Sequence, residues 1–231
     1  MEVEVPRGHG KGLRLEVGRG HPGYALGASE PLVQEALVRY LARGSVLYDV
    51  GANVGFLTAI GARHVGAEGA VYAFEPSPET ATALRRNLVR NGLENVMVIE
   101  RAVAAEVGVA RLDSDDPLTA RLGTSGIWVE TTTIDAMRSE LRPPDVVKID
   151  VEGAEADVLR GMRATLTDVR PVVICEIHGE TGAECVELLG AAGYAASNLE
   201  PEEGGMPHIV AIPASGRVAA GGRAHSATNG H

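Results

Sequence analysis

Apolar residues along this chain follow two alternating rhythms. Near-continuous aliphatic runs recur at Ser45 to Val50, Ala70 to Phe74, Asn95 to Ile99, Asp145 to Ile149 and Pro171 to Ile177. Such runs predict strands buried on both faces, as in a parallel sheet. Between them, apolar positions three and four apart predict helices over Val54 to Val65, Ser77 to Asn91, Thr133 to Leu141, Ala154 to about Leu166 and Glu180 to Ala192. Ser77 is a natural N-cap before Pro78, and Asn91-Gly92 a natural stop. A further helix is expected from Pro31 to Ala42, with Leu32, Ala36, Leu37 and Leu41 on one stripe. Weaker strands are expected at Val109 to Leu112, Ile127 to Thr131, Ala195 to Leu199 and His208 to Ile212. Val3, Val5, Leu13, Leu15 and Val17 alternate with charged residues near the start, which suggests two short strands forming a hairpin. The chain therefore divides into an N-terminal extension with short strands (1–30), one α/β domain (31–213) and an aperiodic Gly-, Ala-, Ser- and Arg-containing tail (214–231) expected to be disordered.

Composition sharpens this picture. A length of 231 residues suits one domain with a full core. Aromatic residues make up only 3%, so the core must rest on aliphatic side chains. The net charge of -10 and the lack of a basic cluster argue against a nucleic-acid partner. Cys175 and Cys185 match no zinc or redox spacing and read as reduced core thiols. No basic, apolar leader opens the chain, and no apolar run approaches the roughly 20 residues needed to cross a bilayer. A cytoplasmic protein without a membrane partner is expected.

Four constellations could carry chemistry. The first is Asp49-Val50-Gly51-Ala52-Asn53-Val54-Gly55, between a buried strand and a helix. Its glycines permit a tight turn and the close approach of a ligand. A dinucleotide loop wants G-x-G-x-x-G, but Asn53 stands at the middle glycine and Asp49 precedes the turn. A carboxylate there repels pyrophosphate and welcomes an ammonium group, which favours S-adenosylmethionine over a nicotinamide. The second is Glu75, closing the next strand, where a carboxylate can accept from two ribose hydroxyls. The third is Lys148-Ile149-Asp150-Val151-Glu152-Gly153-Ala154-Glu155, at another strand-to-helix junction. Asp150 and Glu152 share a face if the strand persists. Alternatively, Asp150 and Glu155 only charge a helix N-terminus. The fourth is Glu176-Ile177-His178, which could bring an imidazole over the same edge.

Taken in order, Asp49 to Phe56, Ala73-Phe74-Glu75-Pro76, Asn87 to Asn91, Lys148 to Glu155 with Leu159-Arg160-Gly161, and Glu176 resemble the FkbM family of methyltransferases, as does Gly27-Ala28-Ser29-Glu30-Pro31. The resemblance implies a Rossmann-like class I methyltransferase fold. Such a fold has a seven-stranded, mostly parallel sheet with helices on both faces, strand order 3-2-1-4-5-7-6 and an antiparallel last strand. It implies S-adenosylmethionine as donor and a hydroxyl of a secondary metabolite or sugar as acceptor. By position it places Asp49, Gly51, Asn53 and Gly55 at the methionine side, and Glu75 with Pro76 at the ribose. Ala102 and Val103 then fall beside the adenine, Asp150 and Glu152 at the transfer site, and Glu30 over the cofactor. Ser29 departs from the family's usual aromatic residue at the entrance.

An alcohol is a weak nucleophile at neutral pH, so a general base helps. His178 or Glu152 is the expected base, with Asp150 beside them and no metal. The alternative is magnesium on Asp150, Glu176 and His178. Other readings are N- or C-methylation, or a non-catalytic S-adenosylmethionine-binding protein. A nicotinamide oxidoreductase lacks its glycine pattern. An aminopropyltransferase would leave Asp49 without its partner. A nucleic-acid amino-methyltransferase would show Asn/Asp-Pro-Pro-aromatic where Asp150-Val151-Glu152-Gly153 stands. No oligomeric state follows from the sequence; a homodimer is one open arrangement.

Overall fold

The computed structural model describes residues 2–16, 23, 26–27, 29–113, 121–199 and 208–214. Two short antiparallel strands come first, β1 (Glu2–Glu4) and β2 (Arg14–Glu16). Helices and strands then alternate: α1 (Pro31–Tyr40), β3 (Val46–Val50), α2 (Phe56–Val65), β4 (Ala70–Phe74), α3 (Pro78–Arg90) and β5 (Val96–Ile99). Four strands follow outside this rhythm: β6 (Ala102–Val103), β7 (Gly108–Asp113), β8 (Arg121–Gly123) and β9 (Ile127–Thr132). The chain returns to it with β10 (Val146–Ile149), α4 (Glu155–Arg160), β11 (Val172–Glu176), α5 (Gly182–Ala191), β12 (Tyr194–Leu199) and β13 (His208–Pro213).

Among the described residues the principal sheet has seven strands in the order β12-β13-β11-β10-β3-β4-β5. Numbered along the sheet-forming chain and read from β5, this is 3-2-1-4-5-7-6. Neighbours from β5 to β11 pair in parallel, and β13 lies antiparallel to both β11 and β12. The expected fold class is therefore the observed one. Alternation along β3 sorts the core into two layers. Tyr48 and Val50 join Phe74, Val147, Ile149, Leu159 and Cys175 on one face. Leu47 joins Val33, Leu37, Phe56, Ile60 and Ile174 on the other.

The hairpin packs into that second layer through Val5, Leu13 and Leu15. Asn87, buried on α3, holds it: its Nδ2 donates to Val54 O (2.8 Å) and Glu16 O (3.2 Å), and its Oδ1 accepts from Glu16 N (2.6 Å). Arg90 adds an ion pair to Glu16 at 3.0 Å.

Several expected elements differ. The helix expected at Thr133 to Leu141 is a single 3-10 turn, Ala136–Ser139. Asp135 explains why: its carboxylate turns away to accept from Ala164 N, Thr165 N and Thr165 Oγ1. Those bonds start a second helical segment, so the helix expected from Ala154 to Leu166 breaks after Arg160 and resumes to end in a π turn, Thr165–Val169. The two strands expected between Ala105 and Glu130 belong to a separate sheet, β6-β9-β7-β8. Its β6 and β8 have two and three residues, too few to show alternation. The tail expected at 214–231 lies outside the described residues except for Ala214. Among the described residues, no helix is long and apolar enough to cross a membrane.

Candidate active site at the carboxyl edge of the sheet

The glycine turn lies between β3 and α2. Gly51 has φ 79°, and a Cβ on it would stand 1.7 Å from the carbonyl oxygen of Asp150. Only glycine lets the two loops approach this closely. Gly55 has φ 89°, and its Cβ would meet Leu84 Cδ1 at 2.1 Å. Every amide of the turn is already used within the protein. Gly51 N and Ala52 N donate to Phe74 O (both 3.0 Å), Asn53 N to Glu75 Oε2 (2.9 Å), Val54 N to Asn53 Oδ1 (2.7 Å) and Gly55 N to Ala52 O (3.0 Å). A loop built for pyrophosphate directs free amides at its ligand; this one has none between Gly51 and Gly55.

Asp49 is 1% exposed. Its Oδ2 accepts from Thr58 Oγ1 at 2.5 Å, and its Oδ1 lies 3.2 Å from Lys148 Nζ. Lys148, equally buried, also donates to Gly51 O (2.9 Å) and reaches Asp150 Oδ2 (3.3 Å). Lys148 opens the third constellation without an expected role there, yet it ties the glycine turn to the Asp150 loop.

Glu75 is enclosed at the end of β4. Asn53 N donates to its Oε2 and Ser77 N to its Oε1, both at 2.9 Å. Each oxygen keeps a further lone pair for an incoming donor. Burial pushes its carboxyl up to about 7, against the pull of the Ser77 and Asn53 amides. Pro76 is half-buried beside it. Ala102 and Val103 are drawn into β6, and both are buried in apolar clusters.

At the far side of Lys148 the strand does not persist through Glu152. It ends at Ile149, and Glu152 takes a left-handed turn (φ 51°) followed by Gly153 at φ 100°. Asp150 and Glu152 therefore do not share a strand face as expected, but the turn brings both to one imidazole. His178 Nε2 lies 3.5 Å from Glu152 Oε2, 3.6 Å from Glu176 Oε1 and 3.9 Å from Asp150 Oδ1. His178 Nδ1 meets Glu155 Oε1 at 2.8 Å. Glu155 is fully buried and also accepts from Gly153 N and Thr181 Oγ1. It therefore orients the ring while standing in the first turn of α4, where its charge also meets the helix N-terminus. Burial alone would lower the pKa of His178, but the Glu155 bond and the charges of Asp150, Glu152 and Glu176 raise it to about 9. Burial also raises Asp150 and Glu152.

Glu30 joins the same edge from the start of α1. Its backbone is left-handed (φ 50°), and buried Gln34 braces the segment before it by donating to Ser29 O at 2.6 Å. Glu30, Glu176 and His208 each offer a ligand atom within 4.8 Å of the others, as do Asp150, Glu176 and His178. His208, opposite Glu176 in the antiparallel register, escaped the sequence reading. Burial raises Glu30 to about 8, with Lys148 opposing.

A 3-2-1-4-5-7-6 sheet with a glycine turn after its first strand and carboxylates after its second, fourth and fifth defines a class I methyltransferase domain. Residues 49–196 match the Methyltransferase FkbM domain, and the chain belongs to that family. It is 31% identical over 160 residues to the hexuronic acid methyltransferase AglP of Haloferax volcanii, covering 64% of this chain and 62% of AglP. It is 31% identical over 193 residues to the 31-O-demethyl-FK506 methyltransferase FkbM of Streptomyces tacrolimicus, covering 65% of this chain and 73% of that protein. The crystal structure of an FkbM methyltransferase from Methylobacillus flagellatus superposes with a TM-score of 0.58 at 17% identity, over 74% of this chain and 44% of that one. The chain thus spans less than two thirds of AglP and less than half of the Methylobacillus protein.

Proposed function

We propose that this protein methylates a hydroxyl group of a small molecule, with S-adenosylmethionine as donor. The observation that carries the reading is the junction at Gly51 and Asp150. It packs a turn unsuited to phosphate against the loop of Asp150, whose Oδ1 lies 3.9 Å from a histidine ringed by carboxylates. The relatives named for a hexuronic acid and for 31-O-demethyl-FK506 support a hydroxylated acceptor.

The residues present fit the donor. Glu75 offers its remaining lone pairs to ribose hydroxyls, the Gly51–Gly55 turn faces the methionine portion, and Asp150 borders the transfer site. Asp49 acts from within, setting the charge of the turn through Lys148. When bound, S-adenosylmethionine supplies an electrophilic methyl group on a sulfonium sulfur. The chain's part is to align the acceptor oxygen and remove its proton. Glu152 is the better placed base, since 30% of its side chain is exposed against 11% for His178. His178, fixed by Glu155, holds Glu152 and Asp150 in place as a charged partner.

Calorimetry with S-adenosylhomocysteine, followed by labelled-methyl transfer to a panel of hydroxylated metabolites, tests the reading. We expect saturable binding, and turnover reduced on the order of a hundredfold by Glu152→Gln. Absence of any binding heat for the folded protein would overturn it.

A further inference from the structure

Glu30, Glu176 and His208 come from three separate places: the entry to α1, the end of β11 and the start of β13. Their ligand atoms nonetheless gather within 4.8 Å of one another. Two of these groups carry buried atoms without a hydrogen-bond partner among the described residues, Glu30 Oε2 and His208 Nε2. His208 Nε2 lies 3.4 Å from Glu176 Oε2, an ion-pair contact longer than an ordinary N–H···O hydrogen bond. A separation of about 3.4 Å is, however, the spacing of two donors on one ion bonded at about 2.1 Å in tetrahedral geometry. A buried carboxyl oxygen without a partner is costly to ionise unless something positive meets it. Lys148, the nearby primary amine, is already shared among Asp49, Gly51 and Asp150.

We propose that Glu30, Glu176 and His208 form a binding site for one divalent transition-metal ion. One imidazole nitrogen with two carboxylates suits manganese, iron, cobalt or zinc better than the all-oxygen preference of magnesium or calcium. Three protein ligands leave at least one position open, as in sites that present a water or a substrate oxygen. The second oxygen of Glu176 points the other way, 3.6 Å from His178 Nε2. The ion would therefore sit on the side of Glu176 remote from His178, with that carboxylate between the two. The site needs no bound cofactor, so it stands or falls separately from the methyl-transfer reading.

The test uses full-length protein stripped with EDTA and desalted, without S-adenosylmethionine. Manganese is titrated by calorimetry, and cobalt by its visible absorption. We expect about one ion per chain. His208→Ala and Glu30→Gln should each weaken binding roughly tenfold or more, while His178→Ala changes it much less. Circular dichroism melts show whether each variant is folded; Glu30→Gln keeps the side chain's shape and carries the test should His208→Ala not fold. No binding by the native chain overturns the proposal. So does binding that survives Glu30→Gln, or binding lost with His178→Ala but not with His208→Ala, which would move the ion to the Asp150 side.

Discussion

Lys148 and Asp49 stand opposite each other in register on adjacent parallel strands, with Nζ 3.2 Å from Oδ1 and both side chains buried. A buried charge pair gives little net stability when intact, but breaking it strands a charge in a poor solvent. Lys148→Met should therefore lower the unfolding free energy by about 3–5 kcal/mol, read from urea denaturation. A combined Lys148→Met, Asp49→Asn variant should regain part of that loss. Equal loss in both variants would show that packing, and not charge, sets the cost.

Glu75 supplies a pH signature. Its ordinary pKa is 4.5, and burial raises it in the fold to about 7. The folded state therefore keeps a proton that the unfolded chain releases, and stability falls as pH rises from about 4.5 to about 7. Ribose hydroxyls would donate to the ionised form, so affinity for S-adenosylhomocysteine should move the opposite way and weaken as pH falls below about 7. Glu75→Gln should flatten the stability slope and weaken binding at pH 8. Thermal melts and calorimetry across pH 5 to 8 check both signs.

The close approach at Gly51 predicts a contrast between two glycines of positive φ. Gly51→Ala sets a methyl 1.7 Å from Asp150 O and must force the two loops apart, whereas a Cβ on Gly153 meets nothing within 4 Å. Gly153→Ala should cost only backbone strain, about 1–3 kcal/mol, and retain binding. Gly51→Ala should lose S-adenosylhomocysteine binding altogether, along with several degrees of melting temperature. Similar calorimetric profiles for the two variants would contradict the packing account.

Removing the amide of Asn87 should loosen the N-terminal hairpin first. It makes four hydrogen bonds, two with Glu16, one to Val54 of the glycine turn and one accepted from Arg90. Asn87→Ala should destabilise the protein by about 2–3 kcal/mol. Faster hydrogen exchange at Glu16 is the accompanying sign.

The principal strands and the glycine turn were legible because they depend on local chemistry, namely aliphatic runs, strand-end acids and a displaced glycine, whereas the strand order came only from the family resemblance. Glu75, Asp150 and Glu176 all stand where a strand hands over to a loop, and each was visible for that reason. Lys148 was not singled out, because a lysine inside an apolar run gives no sign of the two carboxylates it will meet on folding. His208 was hidden for a different reason. Its contact with Glu176 arises from antiparallel pairing across some thirty residues, and only the assembled register brings them together. Period-two reasoning failed at Glu152 because Gly153 permits a turn that strand arithmetic does not foresee.

The joint between Gly51 and Asp150 also bears on how the protein fills. On the function proposed above, one loop would serve the donor and the other the acceptor, and the two touch without a side chain to cushion them. A ligand that steadies one loop therefore steadies its neighbour, so the two affinities are linked and each must raise the other by the same factor. Donor and acceptor would then load cooperatively, and a pair of equilibrium titrations, each run with and without the other ligand, would return one shared coupling constant.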